Sequence, residues 1–192
     1  MPIFYRGAGT GTYWHQRDAR VTGFVPKAPT VVSSVDRIMQ HVARGSISSP
    51  YISLTRSYGV ASSYAVAFSR TPPTQSNPAY VYEIELDNPL PQKLQLIDPV
   101  REVILVAASP LAAITYQHDG SPSFLLGVID PENMRKFLDE QAPQPPPAGG
   151  TPRRANLTIE LETIVRSLRD AEILAIGNIP PAFIRQRIEV SL

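Results

Sequence analysis

Ser53 and Thr55 stand two residues apart in YISLTRS, residues 51–57, where Tyr51, Ile52 and Leu54 suit a packed strand. Alternation along a strand puts both hydroxyls on one face, so that face needs a polar counterpart. Two other places offer chemistry. Glu102 follows DPVR and opens the apolar run VILVAA; a carboxylate there is either a solvated end residue or an acid held at the rim of a cleft. GAGTGTYW, residues 7–14, sets Gly7, Gly9 and Gly11 beside Arg6 and an aromatic pair. Dinucleotide-binding and kinase patterns need a following helix or a fixed later lysine, which this stretch lacks. What it offers is backbone that a ligand can approach closely.

Composition narrows the chemistry. The 192 residues contain no cysteine, which excludes disulfides, thiolate catalysis and cysteine metal sites. His15, His41 and His118 are scattered and show no metal-ligand spacing, so no metal is expected. A formal charge of +1, without a long basic run, gives no strong pull toward nucleic acid. The opening MPIFYRGAGTG has neither a basic segment followed by an apolar one nor the ~20 apolar residues of a membrane span. A soluble protein is expected, cytoplasmic or delivered into a target cell by a route that sequence does not display.

The elements that must position these residues follow from periodicity. IFYR, residues 3–6, reads as a short strand carrying Arg6 at its tip. SSVDRIMQHVARG reads as a helix, with Ser33 and Asp36 resembling a capping box and Gly45 as its end. The Ser53 strand follows, then a helix capped by Ser57 with Val60, Ala61, Tyr64 and Phe68 at helical spacing. AYVYEIEL, residues 79–86, alternates as a strand, and VILVAA has strand length. AAITYQHDGSPSFLLGVID reads as a strand pair, and Asp130–Pro131 as the start of a helix. QAPQPPPAGGTP is expected as an extended linker, residues 141–152, dividing a body, 1–140, from a helical tail, 153–192. In that tail NLTIELETIVRSLRDAEILAIG carries an amphipathic stripe that either docks on the body or binds a partner, and PPAFIRQRIEV reads as a second short helix. The expected class is α+β with a largely antiparallel sheet.

Taken in chain order, the arginine of FYRG, the Ser-x-Thr strand followed by a helix in ISLTRSYGVASSYA, and the glutamate of REVILV resemble the Arg–Ser–Glu arrangement of the cholera-toxin-like mono-ADP-ribosyltransferases. The resemblance covers residues 3 to 108. It implies a split antiparallel β-sandwich and cleavage of NAD+, as substrate, at the nicotinamide–ribose bond. In these terms Glu102 stabilises the ribosyl cation, Ser53 steadies Glu102, and Thr55 closes the same edge of the pocket. Arg6 contacts the phosphates or adjacent ribose, and Gly7 leaves backbone free for the nicotinamide amide. One of Tyr13, Trp14, Tyr58 or Tyr64 stacks on the nicotinamide ring.

Relatives that modify arginine carry a second acid two positions before the catalytic glutamate. Here that position is Val100, which argues against an arginine acceptor. The expected function is a mono-ADP-ribosyltransferase of the bacterial toxin or effector type, acting on a macromolecule, a protein in preference to nucleic acid. Water as acceptor would make the chain an NAD+ glycohydrolase instead. A non-catalytic interaction module on the same scaffold is the remaining alternative.

Overall fold

The computed structural model describes residues 2–45, 48–87, 89–106 and 159–192. The expected strand pair after Ala112, the helix after Asp130 and the proline-rich linker lie outside the described residues.

The described chain is α+β, with six strands in one antiparallel sheet. In chain order these are β1 (Ile3–Ala8), helices α1 (Tyr13–Gln16), α2 (Ala19–Thr22) and α3 (Val35–Arg44), β2 (Tyr51–Thr55), α4 (Tyr58–Ala67), β3 (Ala79–Glu85), β4 (Gln95–Ile97), α5 (Pro99–Val106), α6 (Ile159–Arg169), β5 (Glu172–Ile176), a 3₁₀ turn (Pro181–Phe183) and β6 (Ile184–Val190). The sheet order is β4-β5-β2-β1-β3-β6. It is pinched at its centre: β1 and β2 share a single register pair, Tyr5 with Thr55, whereas β1 runs alongside β3 from Ile3 to Ala8 and β2 alongside β5 from Tyr51 to Thr55.

Period-2 alternation divides the apolar residues between the two faces. Phe4, Ile52, Leu54, Tyr82, Ile84, Ile173 and Ala175, with Phe24 and Ile179, form a core along one face of both halves. On the other face, α3, α5 and α6 cover β2 and β5 through Ile38, Met39, Val103 and Ile164 against Tyr51 and Leu174. There α4 covers β1 and β3 through Ala61 and Ala65. Gly7 is required at that contact, because a Cβ would collide with the backbone of Ala61 and Ala65.

Several sequence expectations are corrected. VILV after Glu102 is helix: Asp98 Oδ1 accepts from the Val100 and Arg101 amides, and Pro99 sits at the first helical position. A capping Asp-Pro start outweighs strand propensity in the apolar run behind it. The cap of α3 is Ser34, whose side chain accepts from the Arg37 amide, while Ser33 bonds the Tyr51 hydroxyl. Segment 153–192 is no helical tail. Its described part contributes one helix and two strands, and β5 lies inside the sheet between β4 and β2. The apolar run ILAI was assigned to the preceding helix, yet Ala171, at φ +45°, breaks that helix and restarts the chain as a strand. RQRIEV pairs with β3 instead of forming a helix. Among the described residues, no helix is long and apolar enough to cross a membrane.

Gly7→Ala is expected to lower unfolding stability in urea by about 2–3 kcal/mol through overpacking against α4. Gly45→Ala meets no neighbour, and its positive φ is expected to cost only about 1 kcal/mol.

Candidate functional site

Where β1 and β2 part, the Arg6 guanidinium bridges the opening: Nη1 donates to the Ser53 carbonyl at 2.5 Å. Its side chain lies over the Phe24 ring, 5.7 Å from the centroid. Burial pulls the Arg6 pKa down to about 10, partly offset by the negative charge of Glu172, so the group stays cationic at neutral pH.

Glu172 is the first residue of β5 and pairs with Thr55, so it projects on the same face as Ser53 and Leu174. Burial pushes its carboxyl up to about 7 and the nearby Asp170 charge adds to the rise, while a hydrogen bond from Ser53 and the charges of Arg6 and Arg169 oppose it. His41, on α3, completes the group, with Nε2 2.7 Å from Ser53 Oγ. Either atom of this pair donates, according to the tautomer of the ring. Burial and the positive charges of Arg6 and Lys27 lower its pKa to about 4, so the ring is neutral. Ser53 is thus flanked by His41 and, on the neighbouring strand, by Glu172.

The other nitrogens of these side chains, Arg6 Nε and His41 Nδ1, are buried and have no hydrogen-bond partner among the described residues. Buried polar atoms are almost always satisfied, so these two stand out.

The turn before Glu172 is fixed from outside the strand. Thr55 Oγ1 donates to the Asp170 carbonyl at 2.5 Å, and the Arg56 amide donates to the Ala171 carbonyl at 3.2 Å. Thr55 is thus turned toward this turn and is buried, instead of forming a pocket edge. The Tyr64 hydroxyl donates to Asp170 Oδ2 and its ring stacks on Phe68, 5.3 Å between centroids. Burial and the Asp170 charge raise the Tyr64 pKa to about 12. The hydroxyls of Thr55 and Tyr64, both expected at the cofactor, thus each bond Asp170.

Of the residues singled out by sequence, Arg6 and Ser53 come together and Glu102 does not join them. It lies in the first turn of α5 and lines a small cleft with Phe4, Arg56, Asp98, Arg101 and Ile173. No hydrogen bond or ion pair joins Glu102 to Arg6 or Ser53 among the described residues. Glu102 and Glu172 look alike locally, each opening an apolar run. The distinguishing signal lay two positions earlier: Val100 before the former, Asp170 before the latter. His41 carried no local signal at all.

GAGTGTYW is not a phosphate cradle. Its amides are spent internally, Thr10 on Ser69, Gly11 on His15 and Thr12 on the Gly9 carbonyl. Trp14 packs on the core, whereas Tyr13 and Tyr58 are exposed. Among the described residues, no cluster of acids and histidines could hold a metal ion. No protein-family model matches the chain, and neither does any curated protein.

Glu172 binds a proton in the folded state at pH values where the unfolded carboxyl, near 4.5, is already ionised. Its contribution to stability therefore falls as pH rises from about 4.5 to 7. His41 acts oppositely, because the unfolded imidazole takes up a proton below about 6.5 that the folded one refuses down to about 4. Comparison with Glu172→Gln isolates the first effect. The variant is expected to gain stability on wild type, by on the order of 1–3 kcal/mol, between pH 5 and 8 in urea titrations.

Proposed function

We propose that the chain is a mono-ADP-ribosyltransferase that cleaves NAD+ between nicotinamide and ribose and transfers ADP-ribose to a macromolecule, a protein in preference to nucleic acid. One observation carries this reading: Arg6, Ser53 and Glu172, drawn from three different strands, converge where the sheet parts. Arginine, then the serine of a Ser-x-Thr strand that leads into a helix, then a glutamate opening a late strand keep the order of the family resemblance, with Glu172 replacing Glu102. The pinched antiparallel sheet is compatible with the split sandwich expected of that family.

The chemistry suits the groups. Breaking the glycosidic bond leaves the electron pair on nicotinamide and positive charge on the ribose, which an ionised carboxylate alongside stabilises. Glu172, half protonated near pH 7, is ionised above it, and the Ser53 hydroxyl holds it in one orientation. Arg6, with Nε still free, offers a forked donor to the phosphates. The acceptor then bonds to the anomeric carbon and loses its proton to solvent.

Nicotinamide release from NAD+ tests the assignment. Glu172→Gln is expected to lower it roughly 10²–10³-fold, while Glu102→Gln stays within about twofold of wild type. In the wild type, release should fall about tenfold per pH unit below about 7, following the Glu172 carboxylate. Full activity in Glu172→Gln would end the proposal.

A further inference from the structure

The Arg6 guanidinium is tied down by a single hydrogen bond. Among the described residues Nη1 donates to the Ser53 carbonyl, and the buried Nε has no partner. A planar fork held at one prong can turn about that bond, so a second surface must set its plane. Phe24 supplies one. The guanidinium carbon lies over its ring, 5.7 Å from the centroid, inside the ~6 Å reach of a cation–π contact.

The ring is itself firmly held. Phe24 is fully buried and makes T-shaped contacts with Trp14, at 4.8 Å, and Tyr82, at 5.3 Å between centroids. Its backbone exchanges two hydrogen bonds with Ile179, each 2.9 Å. The chain comes that close to Ile179 because residue 23 is glycine at φ +69°, where a Cβ would collide with the Ile179 carbonyl. A ring fixed through both backbone and side chain thus faces a guanidinium with one bond of its own.

We propose that Phe24 is a positioning residue for Arg6, its ring fixing the plane of the guanidinium so that the fork already points at the diphosphate of NAD+ when the ligand arrives. The consequence for turnover rests on the transferase reading; the positioning rests on the contacts alone. The phosphates keep their charge while the glycosidic bond breaks, so this pre-ordering serves binding and not bond cleavage. Loss of the ring is therefore felt in KM and spares kcat.

Phe24→Leu removes the ring and keeps an apolar side chain, and Phe24→Met is a second ring-free variant should the first unfold. Phe4→Leu is the control, because it takes an aromatic ring from the same core, on the strand that carries Arg6, and leaves Phe24 in place. Relaxation of the Arg6 Nε–H signal in the isotope-labelled full chain, assigned by its loss in Arg6→Lys, reads the restraint directly. The ring-free variants are expected to lower its order parameter from about 0.85 to below about 0.6, with wild type and Phe4→Leu at the higher value. Nicotinamide release by the same samples should show KM for NAD+ raised roughly tenfold and kcat within about threefold in the ring-free variants, with neither constant moved in Phe4→Leu. Equal order in wild type and ring-free variants, an equal loss in Phe4→Leu, or an unchanged KM in active ring-free variants would overturn the proposal. Should wild type release no nicotinamide, the transferase reading fails, and the order parameters alone decide whether Phe24 positions Arg6.

Discussion

A buried guanidinium in the parting of two strands is the constraint on which the remaining features depend. Strands β1 and β2 touch at one register pair and then diverge, and Arg6 reaches across to the Ser53 carbonyl. A charge placed there is costly unless counter-charges and acceptors surround it, and the lowered Arg6 pKa expresses that cost. Glu172 meets part of the need, and Ser53 links the two groups through its carbonyl on one side and its hydroxyl on the other. The cluster thus joins the two halves of the sheet at the point where backbone pairing has stopped.

The same site is held under tension by neighbouring groups. Glu172 would be neutral by burial alone, and Arg6, Arg169 and Ser53 bring it back to the edge of ionisation near pH 7. Asp170 pushes the other way, and its charge is in turn neutralised by Arg169. The turn connecting them carries Ala171 at φ +45°, an uncommon conformation for a residue with a side chain, kept in place by bonds from Thr55 and Arg56. Thr55, singled out as a pocket hydroxyl, thus serves the site at one remove by setting where Glu172 begins.

Local signals served well where they were strong. Ser57 caps α4, Gly45 closes α3 in the left-handed conformation, and AYVYEIE forms a strand. They failed where two local rules competed. In DPVREVILV an Asp-Pro cap competes with the strand propensity of the apolar run, and in RDAEILAIG the helix ends at a break that has no glycine or proline to mark it. Both failures moved the glutamate. Glu102 opens a helix, α5, and Glu172 opens a strand, β5, the reverse of what each local run suggests.

The sequence by itself determined the mixed α+β class and the strands that carry Arg6 and Ser53, because each follows from the type and period of neighbouring residues. Only the tertiary structure decided which glutamate joins them, that His41 stands behind Ser53, and that Arg169 covers Asp170. Those facts depend on β5 entering the sheet next to β2, a pairing between residues more than a hundred positions apart, and strand pairing at that distance is set by register and packing that no short window of sequence contains.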